Sequence, residues 1–300
     1  MSRLDRGLLL DSLKDAGQTH RMPSTAPQKA LSFGPIVTLD SNAQLPLWPR
    51  DQRALPNAIA RSALFNTASA RKGGEREFHR KREIAALKGI SITYTGEELR
   101  QDDEDVFLQC LHLARMQGLG TEVYFTANSM LTDLRWTGNG PSYLRLADTL
   151  YRLTVATVGI TVDSGKAGRE NYTGSLIGGF QWRDGEGGPP LRQWHIQINP
   201  QIASLFDPAS HLRLNWQARL KLSPLEKWLH TFYHSHAQPF AYKVETLHRL
   251  TDSEIVDLRK FRYKLRKALE SLVEKGFLLS SHIDVKTDLV HVVRKHQIEA

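Results

Sequence analysis

The residues with the clearest chemical meaning lie between positions 259 and 267. Six of these nine side chains are basic and none is acidic: Arg259, Lys260, Arg262, Lys264, Arg266 and Lys267. Like charges at this density repel one another unless water or an anionic polymer lies opposite them. Arginine and lysine can donate hydrogen bonds to guanine edges in a DNA major groove, and their neighbours can hold phosphates. We therefore predict that these six residues, with Tyr263 among them, contact DNA.

The apolar residues around this run predict the helix that presents it. They recur at spacings of three and four, which places them on one face: Leu258, Phe261, Leu265, Ala268 or Leu269, and Leu272. Acidic Glu254 and Asp257 are expected in the first turn, and Lys275-Gly276 is expected to end the helix. The alternative interpretation of such a run is a solvated helix face that binds nothing.

The elements around this helix predict a DNA-binding domain over residues 207–300. Ser223-Pro224 is expected to start one helix, and residues 242–250 supply the first half of a helix-turn-helix. After the basic helix, residues 277–293 have the pattern of a β-hairpin with a polar turn at Lys286-Thr287-Asp288. A helix-turn-helix followed by a hairpin is the order of a winged helix.

Residues 55–206 show a second, divergent copy of the same order. Short strands are expected at Val123 to Phe125, Val158 to Val162, Leu176 to Trp182 and Gln193 to Ile198, with helices between the first two. The basic residues of this copy are sparse, so we expect contacts with the DNA backbone or with another chain: Arg135, Arg145 and Arg152. The predicted fold class is α+β, with two tandem winged-helix domains preceded by a flexible N-terminal arm.

Composition fits this organisation. The chain has 300 residues, a net charge of +8 and a pI near 9.6, which favours a polyanionic partner. No window is apolar for long enough to span a membrane, and the single Cys110 cannot form an internal disulfide, so we expect a cytoplasmic protein.

Two segments of the chain are predicted to be flexible. Residues 1–54 are predicted to form the arm. A basic linker at 67–88 is predicted to be mobile and to contact the DNA backbone through Lys72, Arg80 and Arg82.

One segment of the arm could bind a partner protein. Gln44, Leu45, Leu47 and Trp48 lie in a segment stiffened by proline, and such a segment can dock in a hydrophobic groove. It resembles the Gln-Leu-x-Leu-Phe peptide that binds the bacterial sliding clamp. The alternative, weighed equally, is a segment that packs on its own domain.

The sequence gives little support to an enzyme. His230 and His234 are four residues apart, but Thr231 stands where a zinc protease has its general-base glutamate. His234-Ser235-His236 lacks the apolar middle residue of a rolling-circle nuclease. The chain also has no phosphate-binding loop for ATP. We expect no catalytic residues, no metal and no cofactor.

Several motifs resemble the TrfA-type initiators of plasmid replication. They occur in the same order over roughly Gln44 to Arg294: Leu55-Pro56-Asn57 with residues 60–65, residues 92–103, Leu134-x-Trp136 with Asn139-Gly140, Leu220-x-Leu222-Ser223-Pro224, and Asp288-Leu289-Val290-His291. The resemblance implies an initiator that binds direct repeats of double-stranded DNA, called iterons, and melts an adjacent A·T-rich element. It also implies recruitment of host DnaA, DnaB helicase and the sliding clamp, and passage between a dimer joined through the first winged helix and a DNA-binding monomer.

A winged-helix transcriptional repressor is the alternative. It would use the same kind of basic helix without melting DNA. The layout of the binding site separates the two, because a repressor dimer binds an inverted operator and an initiator monomer binds direct repeats.

Overall fold

The computed structural model describes residues 45–68, 75–117, 122–163, 169–181, 193–206 and 211–295, and its fold mixes α-helices and β-strands. The helices are α1 (Asn57–Ala60), α2 (Gln101–Met116), α3 (Ala127–Asp133), α4 (Gly140–Val155), α5 (Trp216–Arg219), α6 (Pro224–His234), α7 (Val244–Leu250) and α8 (Leu258–Glu274). The strands are β1 (Gln52–Pro56), β2 (Phe65–Asn66), β3 (Phe78–Ile84), β4 (Ile90–Glu97), β5 (Leu99–Arg100), β6 (Glu122–Phe125), β7 (Thr157–Asp163), β8 (Arg169–Gly174), β9 (Ile177–Gln181), β10 (Trp194–Ile198), β11 (His211–Asn215), β12 (Tyr242–Lys243), β13 (Leu278–Ile283) and β14 (Leu289–Arg294). A 3-10 helix spans Pro200–Leu205. None of the helices in the described ranges is long and apolar enough to cross a membrane.

The first hydrophobic core is built around α2, which is buried on nearly every side. Val106, Phe107, Cys110 and Leu111 have no exposed surface. Polar residues on the same helix are buried as well, so α2 is a central helix rather than an amphipathic surface helix.

Helix α2 begins a pattern of six elements that is repeated later in the chain. In the first copy, α2, β6, α3 and α4 are followed by the hairpin strands β9 and β10, and the sheet order is β6-β10-β9. In the second copy, α6, β12, α7 and α8 are followed by β13 and β14, and the sheet order is β12-β14-β13. The predicted order of helices and strands is confirmed in both copies, with one exception.

The exception is the strand predicted at Val158 to Val162. It exists as β7, but it pairs with β4 and β8 in a separate antiparallel sheet of order β3-β4-β7-β8. Val158 and Ile160 alternate with less buried residues, which marks a strand with one buried face. That alternation fixes the strand but leaves its pairing partner open. Between α4 and its hairpin the first copy therefore carries two additional strands, β7 and β8, which join β3 and β4 in the separate sheet.

The prediction of a mobile linker at 67–88 is wrong for the residues described there. Strand β3 occupies Phe78–Ile84 and pairs with β4, with an irregularity in register between His79 and Arg82. Lys81 adopts φ 47° at this irregularity, and the extra residue there breaks the alternation that would have marked a strand. Residues 69–74 lie outside the described part of the chain.

The end of the predicted arm is also wrong. Residues 1–44 lie outside the described residues, but 45–54 belong to the first core. Strand β1 pairs antiparallel with β11, and Trp216 directly after β11 is packed in the same core. The first core therefore extends beyond the predicted boundary at residue 206, and the second core starts at Leu222.

A buried ion-pair network joins the two cores. Arg219 has no exposed surface, and its guanidinium lies 3.1 Å from the Glu104 carboxylate and 2.8 Å from the Asp105 carboxylate at the N-terminal end of α2. It also donates to the Thr231 hydroxyl on α6 at 2.7 Å. Lys227 on α6 pairs with Asp105. Desolvation opposes the charge of Arg219, but Glu104 and Asp105 outweigh it and raise the pKa of Arg219.

We expect Arg219→Met to lower the free energy of unfolding by about 3–5 kcal/mol, because the buried Glu104 carboxylate then loses its ion-pair partner and Asp105 keeps only Lys227. Urea unfolding followed by circular dichroism measures this. Arg213, an exposed residue on β11, supplies the control, since Arg213→Met should change stability by less than about 0.5 kcal/mol. Equal effects of the two substitutions would contradict the role given to the network.

Stability should also fall on mild acidification. The Trp48 indole N–H donates to His112 Nδ1 at 3.2 Å, so this nitrogen must be unprotonated. Burial, with Arg53 and Arg115 nearby, lowers the pKa of His112 from 6.5 to about 4. Between these two values the unfolded chain binds a proton that the folded chain does not, so stability is full above pH 6.5 and is lost as the pH falls toward 4.

The matched variant is His112→Asn, whose amide oxygen can accept from Trp48 without titrating. We expect a shallower decrease in unfolding midpoint between about pH 7 and pH 5 for this variant. An unchanged slope would show that the pH dependence arises elsewhere.

Candidate nucleic-acid interface

Helix α8 is fixed at both ends by the residues that the sequence places there. The Asp257 carboxylate accepts a hydrogen bond from the backbone N–H of Arg259 at 2.8 Å and caps the helix. Gly276, just beyond the end, has φ 75°, a conformation that glycine adopts without strain. One face is buried in the second core through Phe261, Leu265 and Leu272. The predicted buried face and the predicted end of this helix are confirmed, but the helix begins later than predicted: Glu254 lies outside it, and Asp257 is its N-cap rather than a first-turn residue.

The opposite face of α8 is basic and open. Arg259, Lys260, Lys264, Arg266 and Lys267 are all exposed. Across the described chain the first four form no ion pair, whereas Lys267 lies 3.6 Å from Glu270 of the same helix. Tyr263 is 60% exposed, and its position on the helix places it between Arg259, Arg266 and Lys267. This surface, residues 259, 260, 263, 264, 266 and 267, is called the basic face below.

Arg262 differs from its neighbours. Its guanidinium donates two hydrogen bonds to the Asp288 carboxylate, at 2.8 and 2.9 Å. The hydrogen bonds with Asp288 raise the pKa of Arg262. Asp288 lies in the turn of the β13–β14 hairpin with φ 58°. The pair therefore fixes the hairpin against α8, in the side-by-side geometry that arginine and a carboxylate prefer.

A second aspartate shapes the same turn. The Asp284 carboxylate accepts from the backbone N–H of Lys286 at 2.9 Å and of Thr287 at 2.7 Å. These bonds, led by those from Thr287, lower the pKa of Asp284. Lys286 and Val285 are held exposed at the tip. Sequence reasoning placed Asp288 in the polar turn without its partner and missed Asp284, although Asp at 284 followed by Thr at 287 is the pattern of a side-chain-capped turn.

The arginines predicted for the first copy are engaged with acidic side chains. Arg145 donates to Asp102 at 2.6 Å and lies 4.0 Å above the Trp136 ring. Arg152 donates to Asp103 at 2.9 Å. Burial would raise the pKa of Asp102, but the hydrogen bond and charge of Arg145 lower it. These contacts hold α4 against the N-terminal end of α2.

The remaining predicted DNA-backbone residues are dispersed. Arg135 donates to the Gln217 side chain. Arg82 pairs with Asp252 at 2.9 Å and so connects β3 to the second copy. Arg80 is exposed on β3, and Lys72 lies outside the described residues. The structure does not bring these residues together with α4 into one basic surface.

The predicted clamp-binding peptide is not free to bind. Trp48 is 1% exposed and stacks on Phe206 with ring centroids 6.2 Å apart, and Leu45 is 7% exposed. Leu47 is exposed, and Gln44 lies outside the described residues. The interpretation of these residues as an available peptide is therefore wrong for the folded chain, and the alternative, packing on the chain's own domain, is what the structure shows. The indole needs an acceptor, which His112 provides, and its large apolar surface favours burial.

The histidines singled out by their spacing are arranged around a cation. Arg294 donates to the His236 carbonyl and approaches His234 Nδ1 at 3.5 Å. Burial, followed by Arg294, lowers the pKa of His234 to about 4. A guanidinium at this position repels a metal ion. Within the described ranges no three His, Cys, Asp or Glu side chains form a group suited to a metal.

The sequence of this chain is similar to that of known plasmid proteins. The family described as "TrfA protein" matches residues 37–294. The plasmid replication initiator protein TrfA of Escherichia coli is 32% identical over 248 residues, which cover 82% of this chain and 63% of that protein. The chain thus spans slightly less than two thirds of the length of this relative.

Two solved structures of domains 2 and 3 of RctB show the same fold. One has a TM-score of 0.54 at 14% identity and covers 81% of this chain and 99% of that one. The other has a TM-score of 0.52 at 13% identity, with coverage of 80% and 97%. The extent of the family match, across both cores and through the basic helix α8 to the final strand, establishes that this chain belongs to the TrfA family.

Proposed function

We propose that this protein initiates plasmid replication by binding direct repeats of double-stranded DNA with its C-terminal half. In this proposal the two copies of the six-element pattern are tandem winged-helix domains. Helix α8 lies in the major groove, and the β13–β14 hairpin is the wing that contacts the flanking backbone. Bound protein then opens an adjacent A·T-rich element.

The basic face of α8 is the observation that supports this proposal most directly. Four cations that lack acidic partners in the described chain, Arg259, Lys260, Lys264 and Arg266, project from one rigid, capped helix. Keeping them together costs electrostatic repulsion, which phosphates would relieve through release of counterions. Arginine at positions 259 and 266 can also form two hydrogen bonds with a guanine edge.

The wing geometry adds a second element. Because Arg262 is bound to Asp288, we assign it to positioning the wing rather than to the bases. Lys286 at the exposed tip of that wing is then held where it can meet a phosphate. The base contacts of the proposal move to Arg259 and Arg266.

Membership of the TrfA family supports the wider role. We propose that the protein works in the cytoplasm without catalysing a reaction, and that it recruits host DnaA, DnaB helicase and the sliding clamp. The folded segment at 45–48 does not supply the clamp contact in the described conformation. We also propose that the protein self-associates and that the monomer binds the repeats.

A mobility-shift titration with fragments of the plasmid's own origin tests the function. We expect tight, salt-dependent binding to fragments with direct repeats and weaker binding when alternate repeats are inverted at the same spacing. Preference for the inverted arrangement would favour the transcriptional repressor. Failure to bind either fragment at low ionic strength would overturn both functions.

Substitutions on α8 separate base contact from wing positioning. Arg266→Ala should cost about 1–3 kcal/mol of binding and relax preference at one base pair, whereas Arg213→Ala on exposed β11 should leave binding unchanged. Arg262→Ala and Asp288→Ala should weaken binding equally, since either breaks the same pair. If Asp288→Ala strengthened binding while Arg262→Ala abolished it, Arg262 would itself be the base contact. Footprinting and fluorescence anisotropy provide the measurements.

A further inference from the structure

The tip of the wing presents an apolar side chain to which the fold gives no partner. Among the large apolar side chains that the structure describes, Val285 has the highest exposed fraction, 95%. Turns ordinarily carry glycine, proline, asparagine, aspartate or serine, and a valine that stays in water gains none of the stabilisation that burial provides. The side chain of Val285 is therefore open to a binding partner of the wing.

The turn that carries Val285 is rigid. The Asp284 Oδ1 atom accepts hydrogen bonds from the backbone N–H groups of Lys286 and Thr287, and from the Thr287 hydroxyl at 2.8 Å. A single exposed valine on a mobile loop would carry no meaning, since isolated apolar residues are common on surfaces. Here the backbone on both sides of the valine is fixed, so little conformational entropy is lost when the tip binds.

The same turn is fixed beside the basic face. The Asp288 carboxylate is bound to Arg262 on α8, and the Asp288 carbonyl accepts from the backbone N–H of Val244, at the start of α7, at 3.0 Å. Arg259 and Arg266 lie three residues before and four residues after Arg262, and residues at these spacings are neighbours on a helix surface. A DNA duplex that meets these two arginines therefore passes next to the turn.

The chemistry around Val285 suits the minor groove of that duplex. A helix in the major groove lies against the phosphate backbone that separates the two grooves, so an element fixed beside the helix faces the neighbouring minor groove. Exposed Lys286 follows Val285 in the chain and can bind a phosphate at the edge of this groove. The carboxylates of Asp284 and Asp288 are both engaged in hydrogen bonds with the protein. Apolar side chains that enter the minor groove insert between base pairs, partly unstack them and bend the duplex.

We propose that Val285 inserts between two base pairs in the minor groove next to the site of α8 and kinks the DNA there. The inference rests on the proposed function, of which it names a residue that distorts the DNA. Unstacking costs free energy, and pyrimidine–purine steps such as TA yield most easily. The kink is therefore expected at such a step, at a fixed distance from the bases that Arg259 and Arg266 contact.

The fluorescence of 2-aminopurine, placed in turn at each adenine of a repeat from the plasmid's own origin, locates an unstacked step, because this base brightens when it leaves the stack. Binding of the full chain should raise the signal at one step. Val285→Ala should abolish the increase and lower the affinity by about three- to tenfold, since two methyl groups lose their contact with the bases.

Val293→Ala is the matched control. Val293 is 52% exposed on strand β14 of the same wing, but it pairs with Ser280 near the end of the hairpin that lies away from the turn. This substitution removes the same two methyl groups, and it should change neither the fluorescence increase nor the affinity.

Lys286→Ala separates phosphate contact from insertion. It should reduce the slope of log affinity against log salt concentration by about 1 and leave the fluorescence increase in place. The bend angle of the bound fragment, measured by energy transfer between dyes at its two ends, should fall for Val285→Ala and stay unchanged for Lys286→Ala.

The possible results distinguish the insertion from the function on which it rests. A fluorescence increase and a bend that survive Val285→Ala would overturn the insertion, and so would equal losses in Val285→Ala and Val293→Ala. A wild-type chain that binds direct repeats without unstacking any step would also overturn it, but would leave the proposed function standing. A wild-type chain that binds no origin fragment would overturn both.

Discussion

The buried ion pairs of Arg219 hold together the two halves of this protein, each of which contains one of the two hydrophobic cores. A guanidinium without exposed surface is placed between two carboxylates of α2, and it reaches the C-terminal part of α6 through Thr231. An arrangement of this kind tolerates little displacement, because a buried charge that loses its partner is costly. The ion pair of Arg82 with Asp252 and the buried hydrogen bond from the Trp228 indole to the Ser62 carbonyl connect the same halves. The basic face is therefore presented from a fixed base rather than from a tethered domain.

The two copies of the six-element pattern show how one framework acquires different surfaces. In both, the third helix packs one apolar face inward and is braced by acid–arginine pairs. On α8 the brace is Arg262 with Asp288, which leaves the remaining cations open. On α4 the arginines themselves are bound by the acids of α2, and apolar side chains are left outside. The inward-facing positions of these helices thus determine how they pack in the core, and the outward-facing positions determine the chemistry of the surface.

Much of this organisation could be predicted from sequence, because it depends on local signals. Asp257 and Gly276 bound α8, Ser223-Pro224 starts α6, and the spacing of leucines identifies the buried faces. Long-range partners could not be predicted in this way. The alternation of β7 marks a strand but does not say that it joins β4, and the bulge at Lys81 hides β3. Trp48 could equally suit a partner's groove or its own core, and its contacts with His112, 64 residues away, and with Phe206 place it in the core.

The same limit applied to the candidate site. A run of six cations predicts an anion-binding helix, but it cannot show that Arg262 is already bound to a turn 26 residues later. Nor could the acids at the start of α2 be paired with Arg145, Arg152 and Arg219 from their positions in the chain. Which cations stay open is decided by tertiary contacts, and these give the two halves their different roles.

The pairing of β1 with β11 has a consequence for how the chain acquires its structure during synthesis. These strands are separated by about 160 residues of chain, and Trp216 closes the core directly after them. Although the described part of the first half starts at residue 45, this half cannot be completed until the late strand β11 has left the ribosome, and contacts so distant in sequence form slowly. Until then strand β1 of the N-terminal half has no pairing partner. That half is completed only shortly before the basic helix α8 is synthesised.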